Sequence, residues 1–222
     1  NYIDAWTRGR MSVYFGNSVI NTLISLVFIT ALSMLASFAL IKMEWRFRKI
    51  VDRYFAFGIM VPVATTLIPL FQIFSKLGLY NNRWSLIIVY TASALSFSIY
   101  LISGYLRALP NEIMEASVID GCSIYRMLVS IVMPLMKNAI ITVLVIQFFF
   151  KWNDLIYSMT FVSKAELKTM QTGLFYFQDE FGSKNWGAIF ASVSISVFPM
   201  LIMYLFLNKA VIEGMTSGAV KG

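Results

Sequence analysis

The centre of this sequence holds the residues best suited to chemistry, in the stretch EIMEASVIDGCSIYRMLVSIVMP from Glu112 to Pro134. Glu115 and Asp120 are candidates for an acid/base pair, since two carboxyl groups can divide those roles. They stand five residues apart on one short, water-facing helix, with no substrate pocket or metal partner predicted beside them. The single cysteine, Cys122, has no histidine in the chain to activate it or to share a metal. The pattern argues against catalysis, so the segment must serve another purpose.

Helix start and stop residues divide this stretch into two short helices. Pro110 suits a first helical turn, where its missing N–H costs nothing, and Glu112 then faces the positive end of the helix dipole. The sequence predicts a helix from about Pro110 to Asp120. Gly121 follows as a C-terminal cap, where positive φ is needed. Ser123 can cap a second helix that leads into the next apolar run.

The first of these helices carries more apolar surface than a helix in water needs. Its apolar members are Ile113, Met114, Ala116, Val118 and Ile119. A groove on a partner protein would bury them, whereas a plain loop between two apolar segments is the alternative. We therefore expect the helix to be a docking site for another protein.

The flanking sequence is that of a membrane protein. Of 222 residues, 59% are hydrophobic and 13% charged, and the mean hydropathy is +0.73. A helix that crosses the hydrocarbon core needs about 20 residues. Only helices and closed β-barrels satisfy all backbone hydrogen bonds in lipid, and this sequence lacks the alternation of apolar and polar residues that barrel strands show. The sequence predicts an all-α helical bundle with five spans, at Phe15–Ile41, Tyr54–Phe74, Ser85–Leu106, Leu128–Phe150 and Gly187–Leu207.

Charged and aromatic residues indicate the sides of the membrane. All five tryptophans fall outside the predicted spans, as expected for rings that prefer the interface. The net charge of +7 is explained better by a short cytoplasmic loop than by nucleic acid, because the basic residues cluster at Lys42, Arg46, Arg48, Lys49 and Arg53. The segment after Leu106 and the tail from Asn208 are then cytoplasmic, and two outer loops, Ser75–Trp84 and Lys151–Trp186, lie outside.

Polar residues inside the spans have two interpretations. Small and hydroxylated residues on one helix face favour close helix packing, but they can also line a transport path. On the second interpretation, hydrogen bonds to a solute come from Gln72, Tyr100, Asn138 and Gln147. Four prolines lie in the spans and are expected to bend them, among them Pro134 at the entry to the fourth.

The sequence EASVIDGCSIYRMLVSIVMP resembles the glutamate-alanine-alanine (EAA) loop of permease subunits of binding-protein-dependent ABC importers. That loop reads EAA, three residues, G, nine residues, I, one residue, LP. The matching positions are Glu115, Ala116, Gly121, Ile131 and Pro134, with Ser117 in place of the second alanine and Met133 in place of the leucine. The resemblance implies a type I (MetI-like) permease fold.

Other segments extend the resemblance to most of the chain, including FGNSVINT, LIPLFQIFSKLGLYNN, KWNDLIYSMTFV and EGMTSGAVKG. They are similar to the sugar-transporting branch, and there to the second permease subunit of maltose-type importers. That branch has six spans, so we expect the N-terminal one to be missing from the five predicted here. The resemblance implies one transmembrane permease domain over residues 1–222, with a cytoplasmic coupling loop at 107–127, in the inner membrane of a bacterial or archaeal cell.

The resemblance also implies partners and site residues. A second permease subunit completes the path, an ABC ATPase dimer binds ATP and Mg²⁺, and an extracellular binding protein delivers a sugar. The chain has no G-x-x-x-x-G-K-[ST] phosphate loop. We expect it to bind no cofactor of its own and no nucleic acid, and to contact membrane lipid. The implied ATPase-coupling residues are Glu115, Ala116, Ser117, Asp120, Gly121 and Pro134.

The second predicted outer loop contains an amphipathic stretch with two interpretations. The stretch LKTMQTGLFYFQDEFG either lies at the membrane interface or receives the binding protein, and the resemblance favours the second.

A permease for a non-sugar solute is the nearest alternative to a sugar permease. An ion-driven transporter is a more distant one, because such proteins place acidic residues within the membrane and none falls in the core of a predicted span.

Overall fold

The computed structural model describes residues 1–174 and 186–219, with side chains up to residue 205. Its helices, numbered here in chain order, are α1 (Tyr2–Thr7), α2 (Met11–Lys42), α3 (Arg48–Met60), α4 (Val63–Lys76), α5 (Arg83–Ala108), α6 (Asn111–Ile119), α7 (Ile124–Met127), α8 (Met133–Leu135), α9 (Lys137–Trp152), α10 (Ile156–Phe161) and α11 (Trp186–Ala219). A π-helical turn spans Leu128–Val132 and a 3-10 turn spans Ala165–Leu167. No strand occurs in the described residues, which confirms the predicted all-α class.

Among the described residues, three helices can each cross a membrane by length and composition: α2, α5 and residues Trp186–Leu205 of α11. Two bent helix pairs raise the number to five if each pair is one span. The predicted span over Tyr54–Phe74 is interrupted at one of the prolines expected to bend it, because Pro62 lacks an N–H and holds Val61 in an extended conformation. The predicted span Leu128–Phe150 is likewise broken at Met136, two residues after Pro134, with a bend of 76°.

The described residues form two compact units. The first unit comprises those in Asn1–Val27, Pro62–Ser93 and Gln147–Phe206. Its aromatic and aliphatic core joins α4, α5 and α10, and includes Phe74, Leu86, Val89, Tyr90, Tyr157, Phe161 and Val162. The rings of Phe74 and Phe161 lie 4.9 Å apart between centroids, so α10 is held against α4 by side-chain packing.

The second unit comprises those in Phe28–Val61, Ala94–Ile146 and Leu207–Gly222. Its core is built from α2, α5, α7 and α9, and contains Ile29, Met34, Phe38, Ala94, Ile102, Leu106, Met127, Leu128, Val132, Met136, Ala139 and Val143. Leu109 and Met114 pack against this core from the connection that precedes α6 and from α6 itself. The docking helix predicted from the sequence therefore rests on this second core.

Small polar residues of α2 serve packing in both units. Ser25 is buried and its hydroxyl lies 3.5 Å from the carbonyl of Ile87, within the first unit. In the second unit the buried Ser37 hydroxyl donates to the carbonyl of Ile99 at 3.2 Å. Such serines let helix backbones approach closely and satisfy polar groups away from water. These contacts favour the packing interpretation of this helix face.

Candidate functional site

Helix α6 spans Asn111–Ile119, one residue less at each end than predicted. Pro110 lies at the N-cap, one position before the first turn in which it was predicted. Its ψ of 138° at a φ of −57° is not helical, as is typical of an N-cap residue. Glu112 occupies the first turn, where the helix dipole favours negative charge.

The end of α6 is a Schellman turn centred on Gly121. The Gly121 N–H donates to the carbonyl of Val118 at 3.0 Å, and the Cys122 N–H donates to the carbonyl of Ser117 at 3.0 Å. Gly121 has φ +73°, as predicted for a glycine cap. The Ser123 hydroxyl accepts from the Arg126 N–H at 3.4 Å and caps α7, again as predicted. The helix, glycine turn and second helix inferred from the sequence are thus present.

Helix α6 presents an exposed apolar tip. Ile119 is 85% exposed and Val118 is 64% exposed, and the neighbouring Glu115, Ala116 and Asp120 are also exposed. These two neighbouring aliphatic side chains form an exposed apolar patch, and the docking role expected of it stays a prediction.

Ser117, which was predicted to share the coupling role, points the other way. It is buried, and its hydroxyl donates to the carbonyl of Ile113 at 2.6 Å. The predicted coupling residues on α6 therefore divide between an exposed face and one inward anchor.

A groove of 630 Å³ runs beside α6 within the second unit. Met114, Glu115, Val118 and Ile119 line it from α6. The end of α2 contributes Phe38 and Lys42, and the residues that follow α2 contribute Met43 and Glu44. The lining is mainly apolar, with charged side chains among it. The groove and the exposed tip of α6 form one continuous surface, which we call the α6 surface.

Lys42 connects helix ends around this surface. Its ammonium group donates to the carbonyl of Leu109 at 2.7 Å and to the Asn111 side-chain oxygen at 2.8 Å. The sequence interpretation placed Lys42 only in a basic loop and missed this contact. Its one local signal is a lysine in the last turn of a helix, where free carbonyls attract cations.

A second polar cluster lies in the first unit and was also missed. The Asp154 carboxylate accepts hydrogen bonds from the Tyr90 hydroxyl at 2.8 Å, the Tyr157 N–H at 3.2 Å and the Ser158 N–H at 2.9 Å. Lys151 donates to the Ser93 hydroxyl at 3.0 Å and lies over the Tyr90 ring. Burial raises the pKa of the Asp154 carboxyl above its usual value, and the three hydrogen bonds oppose that rise. Asp154 therefore joins the start of α10 to α5.

The family of the chain follows from its similarity to known proteins. Residues 29–216 match the family described as "Binding-protein-dependent transport system inner membrane component". This chain belongs to that family. The permease assignment drawn from the EAA resemblance is thereby confirmed, together with a multi-pass membrane location.

Relatives match the permease along nearly its whole length. The ORF2 protein of Caldicellulosiruptor sp. (strain Rt8B.4) is 35% identical, over 97% of this chain and 78% of its own. The melibiose/raffinose/stachyose import permease protein MelC of Bacillus subtilis (strain 168) is 29% identical, over 100% of this chain and 80% of its own. A crystal structure of a bacterial ABC transporter involved in the import of the acidic polysaccharide alginate has a TM-score of 0.84 at 21% identity, covering 94% of this chain and 78% of that one. This likeness confirms the predicted ABC-permease fold.

The four residues predicted for a translocation path fall in different surroundings. Gln72 and Tyr100 are exposed in the permease, Tyr100 by 59%, in the first and second units respectively. Asn138 is exposed and lines a cavity of 190 Å³ in the second unit. Gln147 is buried in the first unit. Their role in a path stays a prediction.

The structure describes part of the loop that was predicted to receive the binding protein. In the predicted outer loop 151–186, the backbone N–H groups of Ser163 and Lys164 donate to the side-chain oxygen of Asn81, at 2.6 and 3.0 Å. The second half of the amphipathic stretch LKTMQTGLFYFQDEFG, at residues 175–182, lies outside the described residues.

Proposed function

We propose that this permease forms half of the translocation path of an ATP-driven importer and couples to a separate ATPase through the α6 surface. The supporting observation is the exposure of Val118 and Ile119 on a helix whose end is fixed by the Gly121 turn. Exposed Glu115 beside them fits a partner groove with an apolar floor and a basic rim.

The chain needs a partner to use ATP. It contains no G-x-x-x-x-G-K-[ST] sequence, so the proposed ATPase dimer binds ATP and Mg²⁺ and hydrolyses the nucleotide. A second permease subunit supplies the other half of the path, and an extracellular binding protein delivers the solute.

The proposed coupling segment is the loop 107–127 within one permease domain of residues 1–222. Closure of the ATPase dimer would move α6 as a lever, with Glu115, Ala116 and Asp120 facing the ATPase. Ser117 holds α6 to its own unit through the helix backbone. Pro134 precedes the bend at Met136, so displacement of the loop reaches the start of α9. This motion would switch the permease between inward-facing and outward-facing states.

A carbohydrate, an oligosaccharide or a related sugar, is the proposed solute. The support is MelC, a melibiose/raffinose/stachyose import permease that aligns with the whole chain. The similarity of several segments to the sugar-transporting branch points the same way.

Uptake by the complete transporter in proteoliposomes tests this function. We expect labelled melibiose or raffinose to accumulate only when ATP and the binding protein are both present. ATP-driven uptake of an amino acid, with no uptake of any saccharide, would overturn the sugar class and keep the importer. Uptake driven by an ion gradient without ATP would overturn the importer itself.

The proposed orientation places the α6 surface and the C-terminus in the cytoplasm, and the only cysteine of the chain provides a test. Cys122 is partly exposed and lines the groove beside α6. A membrane-impermeant maleimide should label Cys122 in inside-out vesicles and not in intact spheroplasts. A Tyr80→Cys, Cys122→Ala variant should show the reverse pattern, since residue 80 lies in the predicted outer loop. Labelling of Cys122 in intact spheroplasts would contradict the orientation.

A further inference from the structure

Lys42 is the last residue of α2, and its side chain ends at the junction between α5 and α6. The ammonium group lies 2.7 Å from the carbonyl oxygen of Leu109, which follows α5, and 2.8 Å from the side-chain oxygen of Asn111, which begins α6. One cation therefore contacts both sides of the turn at Pro110. The three helices meet within the second unit.

Groups with partial or full negative charge surround the Lys42 ammonium group at this junction. The carbonyl groups at the ends of α2 and α5 have no helical partner and carry partial negative charge. Partial burial acts against the charged form of Lys42, and the carboxylate of Glu112, in the first turn of α6, opposes that effect by attraction. Pro110 has no N–H, so the turn itself can supply no backbone donor at that position. The lysine supplies donors that the turn lacks.

No side chain caps the N-terminus of α6. Its C-terminus is held locally by the Gly121 turn, whereas its entry is held by a residue 67 positions away in the chain. A change in this contact would leave the backbone hydrogen bonds of α6 intact and alter the direction in which the helix leaves α5.

From this geometry we propose that Lys42 is a positioning residue for coupling, which holds the entry of α6 to the end of α2 so that force on the α6 surface moves the membrane helices. The inference rests on the proposed function and adds the residue that transmits movement of α6 to α2. A lever transmits force only if its base is fixed, and Lys42 fixes the base of α6 to a membrane-spanning helix.

Three variants in the complete transporter test the proposal. Lys42→Met removes the charge and the donors and keeps the side-chain length, while Lys42→Arg keeps a cation with donors. Lys49→Met is the matched control, because Lys49 belongs to the same basic cluster, is exposed, and makes no hydrogen bond or ion pair in the described part of the chain. The measured quantity is solute transported per ATP hydrolysed, normalised to the amount of assembled complex.

We expect Lys42→Met to lower this ratio by roughly fivefold or more, because charge-assisted hydrogen bonds at the base of the lever are lost. Lys42→Arg should restore most of the ratio and Lys49→Met should leave it unchanged. A Lys42→Met complex that assembles poorly but has a normal ratio would overturn the proposal and show a purely structural role. Failure of the wild-type complex to link ATP hydrolysis to uptake would overturn the proposed function instead.

Discussion

Replacing Gly121 with valine is expected to reduce ATP-driven uptake by about tenfold or more, while ATP hydrolysis by the assembled complex continues. Gly121 has φ +73°, a conformation that a β-branched residue adopts at a cost of about 1–3 kcal/mol. About 1.4 kcal/mol corresponds to a factor of ten in an equilibrium. The strained residue would open the two hydrogen bonds of the Schellman turn and displace Val118 and Ile119 from their docking positions.

The comparison with Gly121→Asn separates backbone conformation from side-chain size. Among the described residues, no atom beyond the chain neighbours lies within 4 Å of the position that a Cβ would take at Gly121, so the Cβ itself meets no steric obstacle there. Asparagine tolerates positive φ and should retain most of the uptake. The measurement is initial uptake and ATPase rate on the same proteoliposomes. Unchanged uptake by Gly121→Val, or equal losses in both variants, would contradict the proposed coupling turn.

Replacing Asp154 with alanine is expected to destabilise the permease by about 3 kcal/mol. The change removes a helix cap, which typically contributes about 1 kcal/mol, and leaves the buried Tyr90 hydroxyl without its acceptor, at a cost of about 1–3 kcal/mol. For a chain of this size the melting midpoint should fall by about 6–12 °C. Thermal unfolding of the purified complex in nanodiscs measures the shift.

Two control variants assign the effect to the hydrogen bonds of Asp154. Asp154→Asn keeps one side-chain oxygen as acceptor, so its midpoint should lie between those of wild type and Asp154→Ala. Asp4→Ala removes an exposed carboxylate that pairs with Arg8 at 3.5 Å, and exposed pairs contribute at most about 1 kcal/mol. If Asp154→Ala melts with the wild type, the cluster around Asp154 does not hold α10 to α5.

Local signals in the sequence predicted α6 and its end because the determining contacts are local. The hydrogen bonds of the Gly121 turn join residues three and five positions apart, and the Ser123 cap reaches only to Arg126. A glycine after a helix and a serine before one commonly act as caps, so the roles of Gly121 and Ser123 could be predicted from their positions in the sequence. The exposure of Val118 and Ile119 likewise follows from an apolar helix outside the predicted spans.

The missed contacts depend on distant residues, and the exact positions of the breaks lie within segments of uniform composition. Tyr90 and Asp154 are 64 positions apart, and no local pattern pairs them. The interruptions at Val61 and Met136 fall in apolar windows that satisfy every criterion for a single span. Proline was a correct sign of the break at Pro62, but Pro69 and Pro199 lie inside continuous helices. Neighbouring helices decide which proline interrupts a span, and a single sequence does not show them.

Site-specific photocrosslinking from Ile119 in native membranes tests the coupling role of α6 most directly. A photoreactive amino acid at this 85% exposed position should form an adduct with a chain that carries a G-x-x-x-x-G-K-[ST] phosphate loop, identified by mass spectrometry after purification through a tag on the permease. The same group at Tyr80, in the predicted outer loop, should form no such adduct. Adducts from Ile119 with lipid alone, or with the ATPase from Tyr80, would contradict the assignment of α6 as the ATPase contact.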